Sequence, residues 1–253
     1  MEAMNTHHAE WYDALFMVGT NLVALMPIIL AFRLGLWYIG VQITLSMVFS
    51  TIYHACDATG FCLFSYPLIV WRTMDYIYAF MQIVIVFIFL VDFESSESSP
   101  TAFMYQRWAV ITQQLFGAVV ILVILVDPFS QAAAYVIVAM GGSIIYIKFV
   151  FLDRGRTPFK DRFEVKFLVV GFALFGLGVG LFGINGTPVY WLFHSTWHVC
   201  AYLGQYFLIL GGSKHYKGWK EYAQRHCFFA RTAPPSDCRQ TCFGEKQFEE
   251  YYV

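Results

Sequence analysis

Seven apolar runs, each of about 20 residues, the length a helix needs to cross the hydrocarbon of a bilayer, constrain this chain more than any other feature. They lie at approximately 13–32, 36–55, 68–91, 108–126, 131–151, 165–184 and 188–211. Apolar residues recur on all faces within each run, which suits helices in lipid rather than the alternating strands of an outer-membrane barrel. The composition agrees: 58% of residues are hydrophobic and 13% charged, with a mean hydropathy of +0.57, far from the balance of a soluble domain. The expected fold is an all-α bundle of seven transmembrane helices. A net charge of −1 excludes nucleic acid as a partner, because that requires a basic surface. Membrane lipids are the expected partners, and nothing in the chain specifies a protein partner.

The organisation follows from the runs: an outer N-terminus at 1–12, a membrane domain at 13–211 and a tail at 212–253. The first run reads as a permanent span, since no basic residue precedes Arg33 and Glu2, Glu10 and Asp13 stand where a secretory signal would be positive. Lys and Arg mark the cytoplasmic side. With the N-terminus outside, Arg33, Arg107, Lys148, the cluster from Arg154 to Lys166 and the tail from Lys214 to Lys246 all fall inside. Arg72 is then the one exception among 16 basic residues. The C-terminus is expected in the cytoplasm, and the short "FESSESSP" at 93–100 reads as a surface loop.

That topology places the histidines. Along the seventh run, at ~1.5 Å per residue, His194 and His198 lie roughly 9 Å and 15 Å below the outer end. The second run finishes with "SMVFSTIYHACD", so His54 is near the outer surface with Ser50 one turn deeper, and Asp75 lies in the first turns of the third. Every histidine inside a run therefore belongs to one set, since His7, His8, His215 and His226 lie outside the runs. Asp75 is also the one carboxylate well inside an apolar run. Ionisable groups in hydrocarbon are costly and are usually kept with a partner and a function.

Two imidazoles at i and i+4 project from one helical face, and a third from another helix completes a three-histidine set that suits zinc and leaves a fourth position for water. Zinc lowers the pKa of such a water to about 7. Asp75 can hold that water or take its proton, and Ser50 can donate a hydrogen bond to a developing oxyanion. The competing reading is helix-to-helix hydrogen bonding of the kind polar residues make in bundles.

Ser50-x-x-x-His54, Asp75 and His194-x-x-x-His198 resemble the signature of the CREST superfamily, the seven-helix group holding alkaline ceramidases and adiponectin-receptor-like proteins. Within it, "YHACD" at 53–57 and "HSTWH" at 194–198 are similar to the transmembrane protein 8 family, and the short N-terminus and cysteine-bearing tail to its small, fusion-promoting member. The resemblance implies zinc held by His54, His194 and His198, with Ser50 and Asp75 as the accompanying polar pair. It implies promotion of myoblast fusion with zinc in a structural role, or, as the alternative, zinc-dependent hydrolysis of a lipid amide or ester. The plasma membrane is the expected location, with the Golgi second to it.

Cys56 and Cys62 share the outer loop, as a disulfide or as two free thiols, and Cys200 reads as helix packing. Cys227, Cys238 and Cys242 face the cytoplasm, where S-palmitoylation is the functional reading. The segment 214–231 spaces Tyr216, Trp219, Ala223 and Cys227 at helical intervals among basic residues, the pattern of an interfacial helix on an anionic leaflet. Gly176-x-x-x-Gly180 in the sixth run allows close helix approach, inside the bundle or, as the alternative, in a homodimer.

Overall fold

The computed structural model describes residues 11–34, 36–91, 163–182, 184 and 189–213, together with 111, 114–119, 121–122, 126, 139 and 141–143. Among these residues all regular structure is helical. The main helices are α1 (Trp11–Thr20), α2 (Leu25–Arg33), α3 (Trp37–Thr59), α4 (Leu68–Val91), α5 (Val165–Phe182) and α6 (Tyr190–Gly212). Four segments are long and apolar enough to cross a membrane: Leu15–Arg33, Trp37–Thr59, Leu68–Leu90 and Val165–Phe182. They coincide with the first, second, third and sixth runs. The fourth and fifth runs are described only in pieces, and the loop at 93–100 and the tail from 214, with Cys227, Cys238 and Cys242, lie outside the described residues.

Local chemistry sets the breaks between elements. α1 and α2 are joined by a tight helical turn, Asn21–Ala24, and Pro27 explains it: proline removes the N–H that would bond back to Val23 and crowds that carbonyl, so the chain tightens just before it. The first run is thus one continuous helical segment with a tightened turn inside it. α3 continues a full turn past residue 55 and stops at Gly60, whose φ of 71° lets its N–H cap the Cys56 carbonyl at 2.9 Å. Beyond it, Cys56 and Cys62 form a disulfide, so of the two states open from sequence the structure has the bonded one. Phe64 and Ser65 follow with φ of 55° and 56°, a conformation that costs a non-glycine residue roughly 1–2 kcal/mol.

α6 lies at the centre. It packs along α5 and also touches α1, α2 and α4, while α3 packs on α4, α1 and α2. α6 is as long as α3 but is not among the four segments long and apolar enough to cross a membrane, and its polar residues point inward: His194, Ser195, His198 and Gln205 are all buried. A helix surrounded by protein can carry such groups, whereas one facing lipid cannot. The deeper core gathers Ile28, Ile43, Phe89, Leu168, Leu208 and Ile209, and a second cluster places Phe80, Phe87, Phe175 and Trp197 between α4, α5 and α6.

Backbones of α5 and α6 come into direct contact where glycines meet. A Cβ on Gly204 would stand 3.1 Å from the Gly171 carbonyl oxygen, and one on Gly171 would stand 3.0 Å from that of Gly204. Cys200 packs beside Gly178 at the same interface. Gly176 and Gly180, singled out from sequence for close approach, meet nothing within 4 Å among the described residues. The small-residue contact of α5 therefore uses a different face of the helix from the one its G-x-x-x-G spacing suggests.

Candidate metal centre

The polar residues of α3 and α6 form two facing stripes at four-residue spacing. On α3, Gln42, Ser46, Ser50 and His54 are all buried. On α6 the stripe is Tyr190, His194, His198 and Tyr202, the last three of them buried. Residues four apart share a helical face, so each stripe is a line of polar groups running into the bundle, and the two lines meet at the histidines.

There the three imidazoles converge through the same atom. The Nε2 of His54 lies 3.1 Å from the Nε2 of His198 and 3.2 Å from that of His194. Ring centroids are 4.8 to 5.1 Å apart, with every pair edge-on at 70° to 87°, so the rings form a three-bladed propeller around the Nε2 atoms. All three residues are buried.

Hydrogen bonding alone does not satisfy this arrangement. A neutral imidazole has one N–H and one lone pair. If the His54 Nε2 accepts, its Nδ1–H is a buried donor without a partner; if it donates, its Nδ1 lone pair is stranded, since that atom has no hydrogen bond in either case. A cation at the centre accepts three lone pairs at once. Zinc–nitrogen bonds of about 2.0–2.1 Å in tetrahedral array place the nitrogens roughly 3.3 Å apart, close to the two separations from His54, and all the ligand atoms lie within 4.8 Å of one another. The cluster can therefore hold a metal ion. His194 is already oriented for it: its Nδ1 lies 3.0 Å from the Tyr190 hydroxyl, an outer-shell bond that directs the Nε2 lone pair inward.

Asp75 and Ser50 stand beside this cluster rather than within it. Together with His194 and His198 they line a cavity of about 30 Å³ that also touches Ser46 and Gln82. The Ser50 hydroxyl interacts with the Asp75 carboxyl and the Ser46 hydroxyl with that of Tyr202, each short of a full hydrogen bond, and Gln82 Oε1 has no hydrogen-bond partner among the described residues. A water occupies about 10–15 Å³ on this measure, so the cavity has room for one or two waters among unsatisfied polar groups.

The structure thus brings together all five polar residues singled out from sequence. Reading the sequence missed Tyr190, which orients His194, and Tyr202, whose ring stacks on His198 with centroids 6.2 Å apart. Their signal was the four-residue spacing on either side of the two histidines. Ser46 and Gln42 extend the α3 stripe in the same way.

Helices long and apolar enough to cross a bilayer, buried polar stripes and a histidine triad that could hold a metal ion define an α-helical protein of membrane type with a buried three-histidine site. The chain belongs to the family described as Protein of unknown function (DUF3522), whose model matches residues 9–199 and so spans Ser50, His54, Asp75, His194 and His198. A search of curated proteins finds no match to it.

Proposed function

We propose that this is a seven-span membrane protein, N-terminus outside and C-terminus cytoplasmic, that binds zinc through His54, His194 and His198 and promotes cell–cell fusion as myomaker does. The observation carrying the metal is the convergence of three Nε2 atoms from α3 and α6, two helices far apart in the chain. Bound there, zinc ties those helices together, and metal binding becomes folding free energy. The water-sized cavity supports a structural role. The Cys56–Cys62 disulfide supports an outer position for the loop after α3, because disulfides persist in oxidising compartments. Fusion itself is carried by the likeness of "YHACD" and "HSTWH" to the transmembrane protein 8 family. Palmitoylation of Cys227, Cys238 and Cys242 and a plasma-membrane location complete the reading.

A second reading is favoured by Asp75 and Ser50 lining the same cavity as the histidines: a zinc-dependent lipid hydrolase. Zinc would supply the Lewis acid. Asp75 would hold a water and take its proton, and the Ser50 hydroxyl would donate to the carbonyl oxygen as charge develops.

Cells expressing Ser50→Ala and Asp75→Asn, scored together for surface level, multinucleation and lipid hydrolysis, separate the two. With zinc structural, Ser50→Ala is mild, since a polar contact in a bundle is worth about 0.6 kcal/mol on average, and fusion tracks surface level. With the site catalytic, both variants lose about 10²-fold or more of turnover at normal expression. Well-expressed variants that have lost hydrolysis and fusion together would overturn the structural reading.

A further inference from the structure

The short connection between α3 and α4, residues 60–67, exposes the most prominent aromatic side chains of this end of the molecule. Phe61 is 78% exposed, Phe64 75% and Tyr66 55%. From Ala58 to Trp71 the chain carries no charge. An exposed loop is ordinarily polar, so this composition calls for an apolar surrounding.

Its base is fixed while its tip is bare. Cys62 is bonded to Cys56 on α3, and the Tyr66 ring meets buried Trp71 edge-on with centroids 6.2 Å apart. The consecutive left-handed residues Phe64 and Ser65 turn the chain between these two anchors, and Phe64 remains outward.

Where that tip lies follows from the lengths of the helices. α3 has 23 residues, about 34 Å at ~1.5 Å per residue, slightly more than the ~30 Å hydrocarbon core. If α3 and α4 cross a bilayer, the loop between them is held at headgroup depth. Four of its seven N–H groups are bonded internally, as polar groups leaving water require, and those of Cys62, Leu63 and Phe64 are left to the polar headgroup layer. The N–H of Gly60 donates to Cys56 O, that of Phe61 to Thr59 Oγ1, that of Ser65 to Cys62 O and that of Tyr66 to Leu63 O, and Pro67 has no N–H.

We propose that the loop 60–67 is an interfacial wedge whose Phe61 and Phe64 enter the headgroup–acyl boundary of the bilayer that α3 and α4 themselves span. Its partner is a lipid surface, recognised by apolar area alone, at the ~5–10 Å depth such segments reach. The wedge requires that these helices cross a membrane, and it is independent of the fusion reading.

The test uses the full chain in phosphatidylcholine nanodiscs, with Cys227, Cys238 and Cys242 changed to Ser and Phe64→Cys carrying an environment-sensitive fluorophore; Cys200 is buried. Phe61→Cys serves as a second site in case a new thiol disturbs the disulfide, and Val169→Cys, on the exposed face of α5, as the lipid-facing control. A quencher attached near the lipid headgroup and placed in the disc should quench both loop labels strongly, while iodide in solution should quench them several-fold less than a free label. Quenching by iodide without quenching by disc lipid overturns the proposal. Quenching only by lipid in added vesicles overturns it too, and assigns the tip to a facing membrane.

Discussion

The Nε2 atoms of His54 and His198 lie 3.1 Å apart although 144 residues separate them in the chain. Two neutral imidazoles in such contact, with His194 Nε2 at 3.2 Å from the first, make a poor hydrogen-bonding group and a good ligand set. The first two predictions concern that set.

Protein purified without chelator is expected to contain about one zinc per chain, as a three-histidine site implies. Metal analysis checks it. His194→Ala and His54→Ala should each lose the metal, and a chelator should lower the melting temperature of the unmutated protein but not of these variants. Metal-free protein of full stability would remove the site.

Tyr190→Phe deletes the hydroxyl that lies 3.0 Å from His194 Nδ1 and leaves the ring in place. Zinc affinity should fall about 10- to 100-fold, the usual worth of an outer-shell partner, with the helical signal unchanged. Competition against a zinc chelator of known affinity measures this. An unaltered affinity would mean that the hydroxyl does not orient the ligand.

Gly204→Leu forces a side chain against the α5 backbone at about 3.1 Å and should destabilise the protein by about 1–3 kcal/mol or more, as overpacking does. Gly176→Leu, with nothing within 4 Å among the described residues, should leave thermal stability nearly unchanged. If Gly176→Leu instead proves the more damaging, that face is covered by a further helix or a second copy.

The Cys56–Cys62 disulfide should appear as a linked peptide in non-reducing mass spectrometry of protein from intact cells. A bridge closing so short a loop is worth about 2 kcal/mol on the chain-entropy model, so Cys56→Ser with Cys62→Ser should lower stability by that order. A tag at residue 2 should be labelled on intact cells, and one after residue 253 only after permeabilisation. The opposite pattern would invert the topology.

Hydropathy alone revealed the spans, because lipid offers no hydrogen bonds and a crossing segment must be long, apolar and helical. Four of the seven runs coincide with helices long and apolar enough to cross a membrane, and the last with the inward-facing α6. The site residues were legible for a related reason. A histidine or aspartate in hydrocarbon is too costly to be incidental, and four-residue spacing sets Ser50 with His54 and His194 with His198 on common faces.

Rotation of each helix about its own axis was not legible. α5 is apolar all round, and lipid and protein neighbours are equally apolar, so no pattern tells which glycines meet α6; only packing decided for Gly171 and Gly178 over Gly176 and Gly180. Tertiary structure likewise decided that the histidines meet through Nε2, that Tyr190 holds His194, and that the cavity beside Asp75 is the size of a water or two. Sequence can assign a polar group to a depth and a face. The distances between groups on different helices, on which metal binding and chemistry depend, are set by how side chains and backbones interlock, and that is a property of the packed bundle.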